Sequence, residues 1–250
     1  MPSLRRKMRA LIIFAVIGLF TGLFVLAGMT GAQMTTAQAQ IASKFDVDGA
    51  IAQIKDDYRL FAAIFEKHPE AEREFRVAIM NAQTQEEAQT ALLTISNRMV
   101  ARYFTIYLPV ASDDAIRNYL THSLRVMDYL EKTPEKCAAY SQGRALAEGD
   151  LSSGLIKREF EVKAEIVESG IKAPVNRPKA DEALLQAFRE KYINAGNSAD
   201  DFNVTKDFLA AIPSEACRQA METTKAMLKL KPDETGRIYK NMLSSERNNP

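Results

Sequence analysis

Residues 50–66 read AIAQIKDDYRLFAAIFE, and the spacing within that stretch decides the fold class. Ile51, Ile54, Tyr58, Phe61 and Phe65 recur at steps of three and four, which places them on one face of a helix. Asp56 and Asp57 fall on the opposite face, where water can solvate them. A half-buried strand would instead alternate apolar and polar residues at every second position.

The same grammar continues downstream. A helix is predicted from Pro69-Glu70 with Ala71, Phe75, Ala78 and Ala82 inward. Another opens at Thr84-Gln-Glu-Glu87, a capping-box pattern, and carries Ala88, Leu92, Ile95, Met99, Tyr103 and Ile106 to a stop or kink at Pro109. Ser112-Asp113-Asp114 caps the next, with Ile116, Leu120, Leu124 and Met127 inward. Pro69, Pro134, Pro213 and Pro232 are each followed within two residues by Glu or Asp. That suits a first helical turn, where proline sacrifices no hydrogen bond and an acid complements the dipole. Gly149, Gly170 and Gly196 are read as left-handed stops at helix ends. Ala173–Pro178 (APVNRP) is an irregular connector that suggests a subdivision near 173–178. No hairpin signal interrupts the series, so the expected class is all-α, a compact bundle of roughly eight to ten amphipathic helices over residues 47–243. The polar stretch 244–250 is expected to fray.

Upstream the character changes. Residues 10–29 (ALIIFAVIGLFTGLFVLAGM) contain no charge and, as a helix, would span about 30 Å, the thickness of a bilayer's hydrocarbon core. Arg5, Arg6, Lys7 and Arg9 precede them and should stay cytoplasmic, so the bulk of the chain is expected outside the cytoplasm. Two readings follow. The segment is a retained membrane anchor, in which case Gly18 and Gly22 form a G-x-x-x-G pairing face. Alternatively, residues 1–39 are a signal peptide cut after Ala39, at Ala37-Gln38-Ala39. Residues 40–46 then form a short polar linker.

Hydrophobic content of 46% and charged content of 26% are those of a globular protein rather than a disordered one. Four of the 33 Lys and Arg lie in the first nine residues, which leaves 29 against 32 Asp and Glu thereafter. No clustered basic face emerges, so nucleic acid is not an expected partner.

Cys137 and Cys217, 80 residues apart, are the only cysteines. Outside the cytoplasm such a lone pair is expected to form one structural disulfide, with two buried thiols as the alternative. Closing so long a loop would contribute about 4.5 kcal/mol in the chain-entropy picture. The cysteines share a context: Asp128-Tyr129-Leu130, three residues, Pro134 and Cys137 echo Asp207-Phe208-Leu209, three residues, Pro213 and Cys217.

His68 and His122 have no partners at metal-ligand spacing, so both are read as structural, and no metal or cofactor is expected. Nucleophile and nucleotide motifs are missing, and Asp113-Asp114 and Asp200-Asp201 read as helix-start acids. Asn203-Val204-Thr205 is a formal glycosylation sequon. Tyr103, Phe104, Tyr107, Met127, Met221 and Met227 are expected in the core. These features point to a non-enzymatic, exported helical domain of the bacterial envelope, in the periplasm or at the cytoplasmic membrane, that binds another protein. The alternatives are an envelope enzyme acting on cell-wall glycan through an isolated carboxylate, with Glu148 as the candidate, or a carrier of lipid or small molecules.

Overall fold

Proline and small polar residues set the helix starts. The computed structural model describes residues 47–82, 84–144, 146–147, 149–203 and 211–246. Among them are ten α-helices: α1 Val47–Asp57, α2 Arg59–Lys67, α3 Pro69–Met80, α4 Gln85–Tyr107, α5 Asp113–Leu130, α6 Pro134–Ser141, α7 Ser153–Lys172, α8 Glu182–Ile193, α9 Pro213–Leu228 and α10 Pro232–Glu246. Two 3-10 turns, Leu108–Val110 and Ala199–Asn203, complete the described elements, and none of these is a strand.

Each of the four acid-followed prolines occupies the first position of a helix. The residues ahead of three of them share one backbone conformation: His68 (φ −129°, ψ 76°), Thr133 (φ −128°, ψ 77°) and Ile212 (φ −128°, ψ 84°). Proline bars its predecessor from the helical region, which turns the chain sharply at each corner. Four further starts use side-chain caps: Thr84 accepts from Glu87 N (3.2 Å), Ser112 from Ala115 N (3.2 Å), Ser152 from Leu155 N (3.4 Å) and Asp181 from Leu184 N (2.9 Å).

The helices are arranged around the pair α5 and α7. The far side of α7 carries α2 and α4, with α3 against both and α1 against α2 and α3. α5 in turn packs on α6, α9 and α10, and α8 closes over α9 and α10. Phe61, Phe65 and Phe75 meet at 5.5–6.0 Å on the first side, and Phe104 touches Tyr119 at 4.8 Å across the middle. Phe188 and Tyr192 each meet Phe202 edge to face on the other side. Each fully buried ring of this kind contributes on the order of 1.5–3 kcal/mol. The six core residues expected among the aromatics and methionines, from Tyr103 to Met227, are all buried.

Three expectations are corrected. The stripe from Ile51 to Phe65 is divided between α1 and α2. Tyr58, at φ −132° and ψ 96°, leaves the helix although its N–H still reaches Ile54 O at 3.0 Å. Its ring sits 5.2 Å from Phe160 of α7, and the bend lets α1 fold over α3 while α2 lies along α7. Tertiary packing has overridden a continuous local pattern. Gly149 and Gly196 do adopt positive φ (84° and 92°), but Gly170 lies inside α7. A Cβ there would stand 2.9 Å from Tyr107 Cδ1 and 3.2 Å from Tyr107 O, so this glycine sets how closely α4 and α7 approach. Ile106, assigned inward, is exposed, and Phe104 and Tyr107 take the buried positions at that end of α4.

The connector at 173–178 is tied to the bundle on both sides. Val175 N donates to Val110 O (2.8 Å), and the buried Arg177 donates to Pro109 O (3.3 Å) and pairs with Asp113. Lys240 of α10 donates to Arg177 O, and Arg237 pairs with Asp181 at 2.8 Å.

Candidate functional site

An ion pair with an adjoining imidazole lies inside the apolar seam of α5, α6 and α7. Glu159 and Lys163 stand one turn apart on the buried face of α7, with Nζ 2.7 Å from Oε1. His122 comes from mid-α5, its Nε2 3.0 Å from Glu159 Oε2, and Tyr140 of α6 donates its hydroxyl to the same oxygen at 3.0 Å. The side chains of His122, Lys163 and Glu159 are only 2%, 3% and 9% exposed. Ser123, Tyr119 and Phe104 complete the surroundings, with the Lys163 ammonium 6.0 Å above the Phe104 ring.

The electrostatics follow from that enclosure. Burial pushes the Glu159 carboxyl up, but the Lys163 ammonium and the adjoining His122 ring more than reverse this and hold it at about 2. Burial, with the Glu159 charge as the next cause, pushes the Tyr119 and Tyr140 phenols well above their ordinary value. His122 Nδ1 finds no hydrogen-bond partner among the described residues. The cluster therefore holds a fixed carboxylate against an ammonium, an imidazole and a phenol. It has the groups for moving a proton, and all of them are buried.

A second cluster joins α8, the 199–203 turn and α9. Asp201, buried, accepts from the Tyr192 hydroxyl at 2.6 Å and from Arg218 at 3.0 and 3.1 Å, and Glu215 pairs with the same guanidinium. The third lies at the α2–α3 corner. His68 Nδ1 is 3.0 Å from Glu70 Oε1, its Nε2 is 2.6 Å from the Tyr107 hydroxyl, and its ring lies 4.4 Å from that of Tyr103.

Of the residues singled out from sequence, Cys137 and Cys217 are joined in a disulfide, with Cα atoms 5.4 Å apart, which ties α6 to α9. Asp113 and Asp114 lie in the first turn of α5, as expected of helix-start acids, and Asp113 also pairs with Arg177 of the connector. Asp200 and Asp201 diverge, the first exposed and the second inside its cluster. Asn203 ends the second 3-10 turn, and Val204 and Thr205 lie outside the described residues. The apolar segment 10–29 with Gly18 and Gly22, the cleavage position Ala39, the linker 40–46 and Glu148 also lie outside them. Among the described residues no helix is long and apolar enough to cross a membrane. Nor do three or more His, Cys, Asp or Glu converge there in a way that could hold a metal ion.

Sequence reasoning passed over Glu159 and Lys163. The signal was present: along α7 the inward positions run Leu155, Glu159, Val162, Lys163, Ile166 and Gly170, so a charge pair interrupts an apolar stripe. Comparison of the chain with protein-family models, with curated proteins and with solved structures yields no match in any of the three.

Proposed function

We propose that this chain is a non-enzymatic, exported helical domain of the bacterial envelope that acts by binding another protein. The observation that carries the reading is the enclosure of the Glu159–Lys163–His122 cluster, where acid, base and phenol converge yet all are buried. The described carboxyls support it. Among the described residues, the carboxyls whose acidity is shifted, Glu70, Glu72, Asp150, Glu159, Asp181 and Glu222, are all made stronger acids. A glycan-cleaving general acid needs the opposite shift. Export rests on the basic start and the uncharged run at 10–29, and the disulfide suits an oxidising compartment.

The test is reciprocal capture from crosslinked cells producing the full chain. The reading expects one partner protein to be recovered by this chain, and this chain to be recovered by that partner. Failure of the reciprocal step would overturn the reading, and wall lysis by the purified chain that Glu148→Gln abolishes would replace it with the enzymatic alternative.

A further inference from the structure

α6 is the shortest of the described α-helices, eight residues from Pro134 to Ser141. A helix of that length is marginal in water by itself, so it stands only while its buried face is docked. That face carries Cys137, Ala138, Tyr140 and Ser141, and it packs chiefly on α9 and α5. Two polar contacts add to the packing: Tyr140 donates to Glu159 of α7 at 3.0 Å, and Lys136 pairs with Asp150 at 2.6 Å. The second involves a half-exposed ammonium and adds little. Of these attachments, only the bond from Cys137 to Cys217 of α9 cannot be exchanged for contacts with water.

Cys137 and Tyr140 stand three positions apart on α6, so the bridge and the phenol over Glu159 share one face. The chain bends at both ends of this helix. Thr133 leaves the helical region ahead of Pro134 (φ −128°, ψ 77°), and Gly143 takes a positive φ of 68° two residues past Ser141. Breaking the bridge therefore frees a short helix between two bends, and its departure carries Tyr140 away from the carboxylate.

We infer that α6 is a redox-released cover over the Glu159–Lys163–His122 cluster, closed while Cys137 and Cys217 are joined and opened when a dithiol reduces them. In that step a thiolate of the dithiol attacks one of the two sulfurs, the Cys137–Cys217 bond breaks, and the other sulfur leaves as a thiolate. The second thiol of the reductant then closes its own disulfide and frees the first sulfur, so the cysteines have taken up two electrons and two protons. Both cysteines are buried, so the exchange passes through brief openings of the same helix. The enclosure of the cluster is thus a property of the oxidised chain, whether or not the chain is exported.

The chain contains two histidines, so ethoxyformylation by diethyl pyrocarbonate, followed by peptide mass mapping, counts open imidazoles. His122 is 2% exposed, and His68, at 22%, is the internal control. With the bridge intact, His68 should be modified and His122 spared. After reduction of the full chain by excess dithiothreitol, modification of His122 should rise at least about tenfold while the helical circular dichroism signal holds. Hydrogen exchange should quicken by a similar factor over residues 134–141 and stay within about twofold over α5 and α7. The double variant Cys137→Ala with Cys217→Ala should match the reduced chain. Tyr140→Phe with the bridge in place should leave His122 spared, because the bond and not the phenol holds the helix. A spared His122 in the reduced chain would overturn the cover, as would a reactive His122 in the bridged chain or in Tyr140→Phe. Modification accompanied by loss of the helical signal would also overturn it, since the whole bundle would then have unfolded.

Discussion

A carboxylate as enclosed as Glu159 keeps its charge only while Lys163 and His122 remain beside it. Replacing it with Gln strands the Lys163 ammonium in the core, and we expect a loss of about 3–5 kcal/mol in urea-induced unfolding. Pairing Glu159→Gln with Lys163→Met should restore most of it, because burying an ion pair roughly breaks even against an apolar replacement. A single variant as stable as the parent would mean that the cluster is solvated in solution. The acid limb gives a second readout. Glu159 has a depressed folded value, so its contribution is complete above the unfolded value of 4.5 and disappears as pH falls toward about 2. That drop corresponds to a contribution on the order of 3 kcal/mol, and the Glu159→Gln chain should show a correspondingly flatter profile between those limits. Nothing in the local spacing distinguishes Glu159 from the half-buried acids of α7, Glu161, Glu165 and Glu168, except its place on the apolar stripe. The Glu159–Lys163 interruption of the stripe is legible in the sequence, but His122 and Tyr140 come from α5 and α6, 37 and 19 positions away, so their convergence on it is visible only after folding.

Helix ends were the most legible elements, and helix continuity the least. Pro134 and Pro213 announce their helices through a local constraint, and Thr84 and Ser112 through a single hydrogen bond, so three or four residues suffice to read them. The break at Tyr58 depends on Phe160, a hundred residues later, and carries no proline or glycine. Two predictions belong at this scale. Ser112→Ala should remove the α5 cap and lower stability by about 1 kcal/mol, measured by thermal unfolding. The larger effect is expected at Gly236 of α10, where a Cβ would stand 2.7 Å from Arg177 Cδ. Arg177 is held by Pro109 O and Asp113 and has no room to withdraw. Gly236→Ala should therefore cost about 1–3 kcal/mol and speed hydrogen exchange at Val175, whose amide the connector holds against Val110. Protection at Val175 equal to that of the parent would show that the connector is held independently of Arg177.

At the scale of the molecule, α5 and α7 make one bundle out of the helices that flank them, and the disulfide fastens α6 to α9 on the α5 side. Reduction, or replacement of both cysteines by Ser, opens a loop of 80 residues and should lower unfolding stability by about 4 kcal/mol. Denaturant titration with and without reductant measures this, and coincident curves would exclude a stabilising bridge. The all-α class was legible because periodicity acts within each helix. The hub position of α5 was not, since α5 differs from its neighbours only in how many faces it has to bury.

The bridge has one more consequence, for wear. The described stretches ahead of α7, residues 142–144 and 149–152, and after α8, residues 194–198, fall inside the loop it closes. A protease that nicks either of them cuts the backbone without releasing a fragment, and the severed chain remains one covalent molecule until a reductant meets it.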